Sequence, residues 1–171
     1  VDMSLSGQDQ LAKHLPFYDV ISTPFAFKDY AMADRIIDGD FKAWAAPELL
    51  KKGLVHISDW EWGFRQLTNS KKPVVVPADL KGMKIRVPNS SMYINCLTAM
   101  GATPTGMPFA ETISAVQQGV IDGLEGNMNA YSTNGSSEVC KNMSLTNHLV
   151  GTCGAYISTK VWNSIPEEYR T

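Results

Sequence analysis

No apolar run in this 171-residue chain approaches the roughly 20 residues that a membrane-spanning helix needs, so direct membrane insertion is not expected. Residues 1–20 lack the basic-then-apolar pattern of a secretory leader. Clustered Lys and Arg are absent too. The 15 basic and 17 acidic residues are interspersed, with a formal net charge of −2, which argues against a nucleic-acid surface. Cysteine is scarce: Cys96, Cys140 and Cys153 are an odd number with no C-x-x-C spacing. Cys96 reads as a small core residue on the apolar side of a helix, while whether Cys140 and Cys153 pair is open. His14, His56 and His148 are widely spaced and form no H-E-x-x-H, and Ser90–Ser91 sits in no G-x-S-x-G elbow. No catalytic residue, metal site or cofactor is expected from these patterns. Repeats and low-complexity tracts are also missing.

What is present suits a globular domain with a real core, at 44% hydrophobic and 19% charged residues. The patterning alternates between strand and helix, the signature of an α/β fold. VDMSLSG opens as a strand, with Met3 and Leu5 alternating with polar neighbours. Residues 31–50 read as one helix with Ile36, Ile37, Phe41 and Trp44 on a broad face. GLVHISDWEW is a long strand leading into Arg65, and LVGTCGAYIST is another. Between them come the strand KIRV, a helix over 90–100 closed by Gly101, and a short strand in ATPTGM. A helix over 108–118 with Phe109, Ile113 and Val116 on one stripe precedes VIDGLEG, a strand and turn.

In MKIRV the residues Met83, Ile85 and Val87 share one face, with Lys84 and Arg86 on the other. Pro88 stops the strand, and Asn89 and Ser90 are good N-cap types. An arginine at the carboxyl end of a sheet strand points to the crevice where open α/β folds bind ligands. Its planar fork matches a carboxylate with two parallel hydrogen bonds. The alternative is a solvated arginine at a strand end.

Three blocks carry a resemblance: Asp79–Pro88 (DLKGMKIRVP), Gly101–Glu111 (GATPTGMPFAE) and Ala115–Gly123 (AVQQGVIDG). With TPFAFKDY (Thr23–Tyr30), GFRQLTNSKKPV (Gly63–Val74), SLTNHLV (Ser144–Val150) and WNSIPEEYR (Trp162–Arg170), they resemble the solute-binding proteins of TRAP transporters, the DctP family. The resemblance covers nearly the whole chain.

It implies a two-lobe periplasmic binding protein fold, type II-like, incomplete here because family members carry a preceding strand and helix and further C-terminal helices. A signal peptide is expected upstream, and the edge left at the first lobe is expected to be exposed. Residues 1–63 and 152–171 would belong to lobe I and 64–151 to lobe II, the two long strands being the crossings. The implied function is capture of a small organic acid in the periplasm and its delivery to the TRAP membrane subunits. Alternatives are a sensing or storage protein of the same fold, or an enzyme acting on an organic acid.

Residue by residue, Arg86 matches the arginine that grips the substrate carboxylate, and Arg65 matches a second arginine. For Arg65 the alternative is a structural pair with a nearby Asp or Glu. Phe109 matches an aromatic that stacks on the substrate, or else is a core residue. Trp62 is a second aromatic wall or hinge packing. The pattern D-G-x-E-N-P is broken: Gly126 stands where many members have Asn, so Asn127 or Asn129 would substitute, or the Gly126 backbone would approach the ligand. Asp122 is expected to turn the backbone, not to touch ligand.

Overall fold

The computed structural model describes residues 2–170. Val1 and Thr171, the ends of the expected first lobe, lie outside the described residues. The chain is mixed α/β and forms two compact units. Residues 2–21, 27–62 and 152–170 make the first, and 22–26 with 63–151 make the second. Ser22–Ala26, expected with the first lobe, thus clusters with the second.

In the first unit, strand β1 (Met3–Gly7) pairs antiparallel with β7 (Val150–Ser158), from Met3↔Ile157 to Gly7↔Cys153. The alternation expected in β1 does not bury its apolar members, because Met3 and Leu5 are exposed. The helical segment is α1 (Tyr30–Arg35), a π-helical stretch (Ile36–Phe41) and α2 (Lys42–Lys51). Its buried residues are Ala33, Ile37, Phe41, Ala45 and Leu49, one every fourth position. At 3.6 residues per turn such a stripe would wind around the helix, and the wider π turn in its middle brings it back to one side. Trp44, expected on the buried face, is exposed for that reason, and its ring meets Phe17 edge-on at 4.9 Å.

Also in this unit, Gln8 is fully buried and donates from Nε2 to Asp59 Oδ1 and to the Tyr156 hydroxyl at 3.2 Å. His56 Nε2 lies 2.7 Å from the same Asp59 oxygen, and its ring stacks on Tyr156. Burial pushes the Tyr18 hydroxyl up to about 12 and Tyr156 upward as well, so both stay neutral.

The second unit takes its first strand from the later part of β2 (Leu54–Asn69). Beyond it lie β5 (Gly123–Asn127), β3 (Lys84–Val87) and β4 (Thr103–Gly106), in that order across the sheet, while β6 (Asn142–Ser144) pairs with Leu67–Asn69. β5 runs antiparallel to β2, and β3 is parallel to both β4 and β5. Helix α3 (Ser91–Ala99) links β3 to β4, and α4 (Thr112–Gln117) links β4 to β5. Tyr93, Cys96 and Leu97 of α3 pack with Leu67, Ile85 and Val87. Ala115 and Val116 of α4 pack with Leu124 and Cys140. These two clusters lie on opposite faces of the sheet, because strand side chains alternate. All three cysteines are free and buried, as the small-core reading of Cys96 expects.

The helix expected over 108–118 begins late. Phe109–Glu111 is a 3₁₀ turn, only Thr112–Gln117 is α-helical, and Phe109 is 42% exposed. The buried residues there are Thr112, Ala115 and Val116, so Phe109 does not start the apolar stripe.

Two glycines of β5 differ sharply. A Cβ on Gly123 would lie 2.1 Å from the Thr68 carbonyl oxygen, whereas a Cβ on Gly126 would meet nothing within 4 Å. Gly123→Ala is therefore expected to cost about 1–3 kcal/mol through the strand shift it forces, and Gly126→Ala less than about 0.5 kcal/mol. Urea-unfolding midpoints of the two variants check this, and equal losses would contradict it.

Candidate functional site

Strand β3 has β4 on one side and β5 on the other, reached by helices on opposite faces. This makes the gap between the carboxyl ends of β3 and β5 a topological switch point, where open α/β sheets bind ligands. Because β2 is antiparallel to β5, with Arg65 opposite Asn127, the β2 residues entering this unit lie at the same end. Arg65, Arg86, Gly126, Asn127 and, just beyond β4, Phe109 are thus gathered at one end of one sheet. Trp62 is not among them. It is the last β2 residue of the first unit, is 46% exposed, and its ring lies over Gly7.

The register sets the faces. Arg86 is level with Leu124, which is opposite Thr68, so these share a face with Gly126 and Gln66. Arg65, Leu67, Glu125 and Asn127 occupy the other face. The two arginines therefore leave the sheet on opposite sides, a distinction that spacing within either segment does not reveal.

Arg65 is buried. Its Nε donates to Glu125 Oε2, its Nη2 donates to Oε1 at 2.7 Å, and its guanidinium carbon sits 4.9 Å from the centre of the Tyr93 ring. Glu125 is fully buried, and His148 Nε2 stands 3.6 Å from it. Burial is the largest influence on the Glu125 carboxyl and pushes it up. Arg65, by charge and hydrogen bonds, and then His148 outweigh it and hold the group down at about 2. The structural alternative for Arg65 is thus present as a forked pair joining β2 to β5. Its partner Glu125 was not singled out by sequence reasoning. The signal was there in DGLEG, a lone acid alternating with Leu124 inside a strand.

Arg86 is 5% exposed, so it is not a solvated strand end. Its Nε and Nη2 both donate to the Met107 carbonyl, at 3.0 and 2.9 Å, and its guanidinium carbon lies 5.3 Å from the centre of the Phe109 ring. The carbonyl fixes one edge of the fork, and the aromatic ring covers one face with a cation–π contact. A preordered guanidinium of this kind binds an anion without the entropy of immobilising a long side chain.

Asn127 caps α5 (Met128–Thr133), its Oδ1 accepting from the Ala130 amide at 2.7 Å. It therefore stands on the Arg65 face with its carbonyl oxygen in use, while Asn129 is exposed. Asp122 accepts from the Lys84 amide through Oδ2 at 2.9 Å and closes the start of β3, the backbone role expected of it.

A parallel-strand switch point with a buried, ring-covered arginine beside it is the arrangement of a ligand-binding α/β protein. The chain belongs to the bacterial extracellular solute-binding protein family 7, DctP, whose model matches residues 1–171. It is 36% identical over 170 residues to the 2,3-diketo-L-gulonate-binding periplasmic protein YiaO of Escherichia coli (strain K12), covering 99% of this chain and 52% of that protein. Among solved structures it is similar to a TRAP periplasmic solute-binding protein from Desulfovibrio salexigens in complex with diglycerolphosphate. That match has 40% identity and a TM-score of 0.92, and covers 98% of this chain and 54% of that one. Another, from Chromohalobacter salexigens with bound D-glucuronate, has 32% identity and a TM-score of 0.95, covering 99% and 56%. The chain spans about half the length of these relatives, and its fold is that of a fragment of the two-lobe TRAP binding proteins.

The Arg65–Glu125 pair has a measurable signature. The folded carboxyl titrates at about 2 against an ordinary 4.5, so its stabilisation is complete above about pH 4.5 and disappears as pH falls through about 2. Acid-unfolding curves of Glu125→Gln should be flatter than wild type across that window. Arg65→Met, which strands the buried carboxylate, should cost about 3–5 kcal/mol at pH 7. A wild-type-like unfolding midpoint for Arg65→Met would contradict the pairing.

Proposed function

We propose that this chain is part of a periplasmic solute-binding protein of a TRAP transporter, which captures a small organic acid and hands it to the membrane subunits. The observation that carries the reading is Arg86: buried, held by the Met107 carbonyl, covered by Phe109 and placed at a switch point. In this reading the two compact units belong to the two lobes of the binding fold. A signal peptide precedes the chain in the complete protein. Arg86 grips the acid head, Phe109 stacks near it, and Gly126 borders the seat on the same face of the sheet. Arg65 acts mainly by holding β5 against β2, so its contribution to binding is positional. Family membership supports binding over catalysis.

A carboxylate is the head group that the family pattern implies, and two of the relatives above carry carboxylates, 2,3-diketo-L-gulonate and D-glucuronate. A second reading, a phosphate head, is favoured by the diglycerolphosphate bound in the D. salexigens relative.

The test is isothermal titration of the full-length protein against a panel of sugar acids and glycerol phosphates. Arg86→Ala should abolish binding of whichever acid binds, with an unchanged unfolding midpoint for the free protein. Phe109→Ala should weaken binding by less, about tenfold, consistent with the loss of one aromatic contact. Wild-type affinity in Arg86→Ala would overturn the assignment.

A further inference from the structure

A pocket of about 110 Å³ lies wholly within the first unit, lined by Asp34, Ile37, Asp38, Asp59, Trp60 and Glu61. Asp34 comes from α1 and Asp38 from the π-helical stretch, while Asp59, Trp60 and Glu61 are consecutive in β2. Four of the six lining residues are acids, and Asp34, Asp38 and Glu61 are exposed. Of these three, only Asp38 has an ion-pair partner among the described residues, Lys42 Nζ at 3.4 Å. Asp34 and Asp38 stand four apart on one helical segment, a spacing at which like charges repel. The fold itself gains nothing from gathering them at one pocket.

Asp59 makes this more than a cluster of surface acids. Its side chain is 2% exposed, and Gln8 Nε2 and His56 Nε2 both contact its Oδ1. Its Oδ2 is buried and has no hydrogen-bond partner among the described residues. A buried acceptor left in that state needs a physical reason. The two contacts on Oδ1 hold the carboxyl in place, so it cannot turn to find a donor elsewhere.

The acids call for a cation, and the shape of the pocket narrows which. Among the described residues no three His, Cys, Asp or Glu side chains form a group able to hold a metal ion, so the acids surround the space without converging on a point. A planar guanidinium carries its N–H donors around its edge and meets carboxylates on several sides at once. Trp60, 46% exposed, adds an aromatic wall on which such a cation can lie. The volume is well below the roughly 300–1,000 Å³ of pockets that enclose a whole small ligand. It suits the end of one side chain, and hence a partner protein over a free solute.

We propose that this pocket is a docking seat for an arginine side chain of the TRAP membrane subunits. The proposal rests on the solute-binding reading above. The guanidinium lies against Trp60, pairs with Asp34 and Glu61, and sets its charge over Asp59, while Asp38 stays with Lys42.

The experiment measures binding of the full-length protein to the membrane subunits in lipid nanodiscs, as wild type, Asp34→Asn/Asp38→Asn, Glu61→Gln and Trp60→Leu. Each variant should weaken docking about fivefold or more. Affinity for whichever acid of the panel above binds should not change, and the unfolding midpoint of the double variant should match or exceed wild type, since a like-charge repulsion is removed. Nα-acetyl-arginine amide should compete with docking and shift the Trp60 indole resonance, and the uncharged Nα-acetyl-citrulline amide should do neither. Docking unchanged in both acid variants, an equal effect of the citrulline amide, or a wild type that does not dock overturns this proposal and leaves the solute-binding reading standing. Binding of the arginine amide with docking unaffected assigns the pocket to a free guanidinium compound and overturns the partner. Failure of every acid in the panel to bind overturns the reading on which the proposal rests.

Discussion

The reversal of crossover direction at β3 is the constraint from which the rest of the second unit follows. Helix α3 covers one face on the way to β4, and α4 covers the other on the way back to β5. Neither helix can cover the gap between the carboxyl ends of β3 and β5. The carboxyl ends of such strands are where open α/β sheets bind ligands. Arg86 is the next-to-last residue of β3, and Gly126 and Asn127 end β5. Gly123 lets β5 approach β2 closely by presenting no side chain to the Thr68 carbonyl.

The same residue type does two jobs on the two faces of this sheet. Arg65 meets a full counter-charge in a fully buried carboxylate and a ring in Tyr93, an arrangement that ties two strands together. Arg86 meets a carbonyl oxygen, with only a partial charge, and the exposed ring of Phe109. The first environment is a closed structural pair, whereas the second holds a guanidinium in a fixed orientation near the end of β3. Removing the counter-charge in the first case strands a buried ion, so that pair bears on stability.

Much of this was legible in the residues. The strand KIRV, the Gly101 stop, the short strand after it and the two long strands follow from period-2 patterning and glycine punctuation, and the structure has each of them. The helix over 31–50 was legible as a helix but not in its face. A stripe with a period of four needs a π turn, and standard helical periodicity puts Trp44 inward instead of outward. Phe109 was misplaced on a helical stripe because the 3₁₀ turn after Pro108 shifts the phase of the residues that follow. Arg86 was legible as a residue near a strand end before proline. The placement of the two arginines on opposite faces was not, because it depends on the register of β5 against both β2 and β3, and no single segment encodes that. Gly126 was visible as a departure from a pattern, and only the open space around it gives the departure a physical meaning.

The most direct measurement is a crystal structure of the full-length protein with whatever ligand it retains on purification. The account expects an anionic head group within about 3 Å of the Arg86 guanidinium, on the Gly126 face of the sheet, with Arg65 still forked to Glu125. A ligand bound with no contact to Arg86, or one seated on Arg65 with Glu125 displaced, would contradict it.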